Sequence, residues 1–200
     1  MANYSIMADL GNGIVKLLRK GLCPEPVQTP ESILLCPSFE KGDYVLGVHL
    51  YDIQEDGDYP RLEMISLSEN ARRFPPMAVT LFYMLTVNSQ AHISSRSVDE
   101  QRILGRVMQV LHDNPVFEIS HIQPGAEVSD EVISLSPNFL SFEDKSRLWS
   151  SSGQGGTSRL ALYYKAAPVL IDSTRVSHPS RVKEIGLNIH GKELGNGLPY

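Results

Sequence analysis

Apolar residues recur along this chain with two periods, and the switches between them lay out its elements. Met7, Leu10, Ile14, Leu17 and Leu18 keep a helical stripe over about residues 4–20. Gly11 and Gly13 weaken that helix, each by about 1 kcal/mol relative to alanine. Gly21, Pro24 and Pro26 are read as closing it. Ser32 to Cys36 predicts a short strand, and Tyr44 to Ile53 a stronger one bounded by Gly42–Asp43. Asp56–Gly57 is a hairpin signal, with Leu62 to Leu67 expected to return antiparallel on the preceding strand. Met77 to Val87 is almost continuously apolar and is introduced by Pro75–Pro76. Such a run predicts a central strand covered on both faces.

The segment Ser97 to Pro115 reads as a helix with its own end signals. Ser97 and Glu100 have the spacing of a capping box. Ile103, Leu104, Val107, Met108 and Leu111 form its apolar face, and Asn114–Pro115 end it. Short extended segments are predicted at Val116–Ile119 and Val132–Leu135. Ser141 with Asp144 opens a shorter helix containing Leu148 and Trp149. Arg159 to Ile171 is another long strand, in which Pro168 marks a bend or an edge position. Tyr163 and Tyr164 must point to opposite faces of it, so a one-sided sheet would bury at most one.

Beyond Asp172 prolines and glycines interrupt the chain, yet Ile185, Leu187 and Ile189 alternate with Gly186, Asn188 and His190. That is the pattern of one strand with a single apolar face. The elements together predict an α+β fold: a mixed β-sheet packed by a long N-terminal helix and a central capped helix. Residues 1–172 are expected to form one domain and residues 173–200 a C-terminal arm, acting as a strand donor or an edge strand.

Composition narrows the function classes. Two hundred residues with 42% hydrophobic content suffice for one well-filled core. A net charge of −5 and a pI of about 5.7 argue against a nucleic-acid binder, whose contacts require clustered Lys and Arg. The amino terminus lacks a positive region and carries Asp9 where a secretory signal would be apolar. No run of about 18 apolar residues predicts a membrane span. Cys23 and Cys36 are expected to be reduced thiols of a cytoplasmic protein.

Candidate chemistry is sparse. Asp52, Gln54, Asp56, Gly57 and Glu63 fall on ligand and turn positions of an EF-hand calcium loop. The preceding segment, however, reads as strand, and a polar hairpin tip explains the same residues. Gly153 to Ser158 is glycine-rich but precedes a strand, has no lysine and is a connector rather than a phosphate cradle. His49, His92, His112, His121, His178 and His190 show no ligand spacing. No Cys–His nucleophilic pair and no G-x-S-x-G elbow is visible. The catalytic, cofactor and metal sets are therefore empty. A calcium-regulated module at 52–63, and a small cytosolic enzyme using His112 or His121 as base, stand as alternatives of other classes.

Several pieces in order carry a resemblance. They are Val15-Lys16-Leu17-Leu18; Gly42-Asp43-Tyr44 leading to Leu50-Tyr51-Asp52-Ile53; Pro75-Pro76 with Tyr83-Met84-Leu85; Leu104 through Asp113; and Leu148–Trp149 with Leu160 through Tyr164 and Val169 through Asp172. Together they resemble the cap, or tail-terminator, proteins of contractile injection systems, the phage-tail-like particles of bacteria. Ser150 to Ser158 is richer in Gly and Ser than that family's pattern, and the tail beyond Asp172 is short beside its larger members. The resemblance implies a non-enzymatic, hexameric ring at the baseplate-distal end of the particle. It would stop growth of the inner tube and join it to the sheath, after assembly in the bacterial cytoplasm and without cofactor. Ile185, Leu187 and Ile189 are the candidate partner-interface residues, on a segment that adds a strand either to a sheath edge or to its own sheet.

Overall fold

The amphipathic stripe near the amino terminus forms helix α1 (Ile6–Leu22) in the computed structural model, which describes residues 4–37, 42–57, 63–68, 70–89, 91–122, 132–151 and 159–178. Leu10, Ile14 and Leu18 are buried as the spacing predicts, joined by Ile6, Val15 and Leu22. Gly21 lies inside this helix and does not terminate it. A Cβ built there would stand 2.5 Å from Cγ2 of Val110, so glycine is what lets α1 approach the central helix.

Six strands form the main sheet: β1 (Ile33–Leu35), β2 (Leu46–Glu55), β5 (Met77–Val87), β8 (Ala161–Ile171), β7 (Val132–Pro137) and β6 (Val116–Glu118), adjacent in that order. Only the β1–β2 pair is parallel. A separate small sheet joins β3 (Ile65–Ser68), β4 (Ala71–Arg73) and β9 (Val176–Ser177). Among the described residues the expected return of residues 62–67 onto β2 is not seen, and β3 pairs with β4. β2 pairs instead with β5, and Asp56 N–H donates to Ala78 O at 2.9 Å. The reason is burial: β5 offers a long apolar partner, whereas β3 is largely exposed.

Helix α2 (Ile93–Asp113) begins before Ser97, so Ser97 and Glu100 are not its cap. His92 is the N-cap residue, its carbonyl accepting from the N–H groups of Ser95 and Arg96. The Ser97 hydroxyl accepts from Gln101 within the helix instead. Ile103, Leu104, Val107 and Leu111 are buried with Val110, while Met108 is 51% exposed because it lies just past the edge of the stripe. By contrast, Ser141 caps α4 (Phe142–Ser151) as expected, its hydroxyl accepting from Asp144 N–H and donating to the Asp144 carboxylate.

α1, α2 and the single-turn α3 (Ile119–Ile122) pack on one face of the sheet, against Val79, Leu81, Tyr83, Leu85 and Tyr164. The opposite face carries Met84 and Tyr163 beneath Trp149 of α4. Both adjacent tyrosines are therefore buried, because the sheet is two-sided at this point. Pro168 lies at a β-bulge, where Ala167 and Pro168 together oppose Thr80, a place that tolerates its missing N–H. Ile185, Leu187 and Ile189 lie outside the described residues.

Candidate functional site

Strand alternation puts Gly47 and His49 of β2 on the α4 face, next to Thr86 of β5. His49 is fully buried. Its Nδ1 lies 2.9 Å from the Pro37 carbonyl and 3.1 Å from that of Cys36, and its Nε2 lies 2.6 Å from Thr86 Oγ1. Carbonyl oxygens only accept, so this network assigns the proton to Nδ1 and makes Nε2 an acceptor for the threonine hydroxyl. Burial holds the imidazole pKa below its ordinary value of 6.5, and the two carbonyl bonds partly oppose that shift.

Cys36 Sγ is 3.4 Å from the same Nδ1, a cysteine–histidine proximity that the sequence does not reveal. The parallel β1–β2 pairing creates it, by setting Leu35 beside Val48. It is not a nucleophilic pair: a nitrogen that donates to carbonyls cannot take a proton from the thiol. Gly47 makes room for the cluster, since a Cβ there would stand 2.8 Å from His49 Nε2 and 2.9 Å from Cys36 Sγ. The arrangement is a buried polar clamp holding the segment after β1 against the sheet.

The other candidates are dispersed. His112 is exposed in the last turn of α2, and the side chain of His121 lies outside the described residues. Asp52 and Gln54 lie on extended β2, where the Asp52 carboxylate accepts from Ile53 N–H at 2.9 Å and from Gln54 Nε2 at 2.7 Å. A strand leads into this segment where an EF-hand requires a helix, so residues 52–57 do not build a calcium loop. Residues 58–62 lie outside the described set. Among the described residues no three His, Cys, Asp or Glu side chains converge as a metal cage, and Cys23 and Cys36 are free thiols.

Aromatic residues stiffen the α4 face. Trp149 Nε1–H donates to the Tyr163 hydroxyl at 3.1 Å, and Asn138 Nδ2–H donates to the Tyr51 hydroxyl at 3.0 Å. Tyr51 and Tyr163 meet edge to face, with Lys145 Nζ 5.6 Å from the Tyr163 centroid. Burial raises the pKa of both tyrosines. Their hydroxyls serve packing.

The end strands of the main sheet, β1 and β6, are each three residues long, and Arg19 Nε–H occupies the Ile33 carbonyl. β1 covers only Leu46–Val48 of β2, so among the described residues the outer half of β2 has no strand on that side. Exposed apolar side chains include Leu35 on β1 and Val116 on β6, Phe139 and Phe142 before and at the start of α4, Ile93 and Val98 on α2, and Ile53 and Met77 toward the free end of the β2–β5 ribbon. No helix among the described residues is long and apolar enough to cross a membrane.

Comparisons with known proteins identify a family and two structures of similar fold. Residues 11–184 match the family model of the Pvc16 N-terminal domain. No curated protein matches the chain. The sheath/tube terminator of PVC, an extracellular contractile injection system, in its extended state superposes with a TM-score of 0.62 at 17% identity, covering 96% of this chain and 65% of that one. The tube-terminating cap of the anti-feeding prophage gives 0.56 at 18% identity, covering 91% of this chain and 61% of that one. At these identities the likeness is one of fold, and the chain spans less than two thirds of either structure.

Proposed function

The chain belongs to the Pvc16 N-terminal domain family, and from that premise we propose that it caps a contractile injection particle, ending its tube and sheath. The backbone likeness to a sheath/tube terminator and to a tube-terminating cap, over nearly all of this chain, carries the reading. The physical need is clear. A tube grows by a heterologous contact that adds subunits indefinitely, until a ring presents one matching face and one non-matching face. Such a role asks for a rigid sheet and shaped surfaces, and for no bond to be made or broken. The ring is hexameric, assembles in the bacterial cytoplasm, and has tube and sheath subunits as its partners.

Within this reading residues 1–172 form the body, and residues 173–200 form an arm that starts on the small sheet through β9. Ile185, Leu187 and Ile189 supply a strand to the sheath. Two experiments test these statements. Electron microscopy of particles carrying a tagged chain should place the tag at the end distant from the baseplate, and a deletion strain should make tubes of unregulated length. A tag absent from that end removes the cap reading. Truncation after His178, which retains β9, should leave capped tubes with detached sheath; sheath that stays attached removes the arm's role.

A further inference from the structure

Two parts of this molecule extend past its core, at opposite ends of β5. One is the beginning of α2, in which no residue before Ile103 is buried. These ten helical residues span about 15 Å along the helix axis. Beside this projection lies an open pocket of about 300 Å³ lined by Asn88, Arg96, Glu100, Arg159 and Leu160. Among the described residues neither arginine makes an ion pair, so two guanidinium groups outweigh the single carboxylate of Glu100. Ile93, 77% exposed, and Leu160, 58% exposed, add apolar surface to the projection and the pocket.

The second is the outer half of β2 with the start of β5. Burial falls steadily along β2, from Leu46 through His49 buried to Ile53, Gln54 and Glu55 exposed. This end has the opposite character. Glu55 carries negative charge on the same face as Ile53 and Met77, which expose apolar surface, while Asp52 lies on the other face with Gln54. The eleven residues of β5 separate the two ends by roughly 35 Å.

We propose that the β2–β5 tip of one copy docks on the α2 projection and arginine-lined pocket of the next, head to tail. The Glu55 carboxylate meets Arg96 and Arg159, while Ile53 and Met77, on the same face of the ribbon, cover Ile93 and Leu160. The two surfaces are different and lie at opposite ends, as a heterologous contact requires; repeated with a closing rotation, such a contact makes a ring. Opposite charges at the two ends set its direction, because tip against tip or pocket against pocket brings like charges together. This inference rests on the reading of the chain as a ring-forming subunit and supplies the contact which that reading leaves open.

Sedimentation velocity on the full chain tests it, at low and at high salt, with Arg96→Glu/Arg159→Glu, Ile53→Lys/Glu55→Lys and the four changes combined. The wild-type chain should self-associate in a salt-sensitive way. Either pair alone should weaken association by roughly tenfold or more, and the combined variant should recover it. Thermal melts matching wild type separate this loss from misfolding, all four positions being wholly or partly exposed. A wild-type chain that stays monomeric, association indifferent to both pairs, or a combined variant that fails to recover overturns the contact. So do arginine variants that self-associate normally yet fail to cap, since the pocket would then receive tube or sheath. The cap reading is scored separately by the tagged-particle experiment: a tag at the tube end, with charge variants capping normally, retains the cap and removes only this contact.

Discussion

Single residues decide whether the layers can touch. Gly21 is read from the sequence as a helix terminator, but it is the point where α1 meets Val110 of α2, and its carbonyl accepts from Arg106 Nε–H at 3.0 Å. Helix propensity alone would make Gly21→Ala stabilising by about 1 kcal/mol. The close approach reverses that sign, and overpacking should cost about 1–3 kcal/mol in urea unfolding. His49 supplies a pH dependence. Its folded pKa lies below 6.5, so between the two values the unfolded chain binds the extra proton. The stability it contributes is complete above pH 6.5 and is lost as pH falls through the folded value. Unfolding midpoints measured from pH 7.5 downward should fall in that window, and His49→Gln should remove this component of the slope. Neither role is legible in the sequence, because both depend on residues brought near from distant positions.

Elements were more legible than their ends or their pairings. Apolar periodicity places α1, β2, β5, α2 and β8 closely, because burying a face leaves a mark at fixed spacing. Caps are less certain, since several serines can satisfy the same pattern. Ser141 heads α4, whereas Ser97 lies inside α2. Ser141→Ala should therefore cost about 0.5–2 kcal/mol, while Ser97→Ala should stay within about 0.5 kcal/mol of wild type. Urea titrations of the two variants check the contrast directly. Equal losses would mean that Ser97 makes a capping bond in solution. The Asp56–Gly57 turn signal is real, but a turn does not choose its partner strand. Pairing β2 with β5 buries apolar surface along both strands, which pairing with β3 could not do.

Among the described residues the main sheet carries helices α1–α3 on one face and α4 on the other, with the small β3–β4–β9 sheet beside it in sequence. Its layers should unfold together because they share β5 and β8. Fluorescence of Trp149, the one tryptophan, should report the same transition as far-UV circular dichroism. An earlier fluorescence change would show that α4 detaches independently. From composition and periodicity alone come the α+β class, the two main helices and the long strands. All of these are local records of burial or of residue type. Strand pairing, the covered second face, the Cys36–His49–Thr86 clamp and the separation of acidic tip from arginine-lined pocket arise elsewhere. They depend on which distant segments bury each other best, a competition settled by the assembled layers and written at no one position in the chain.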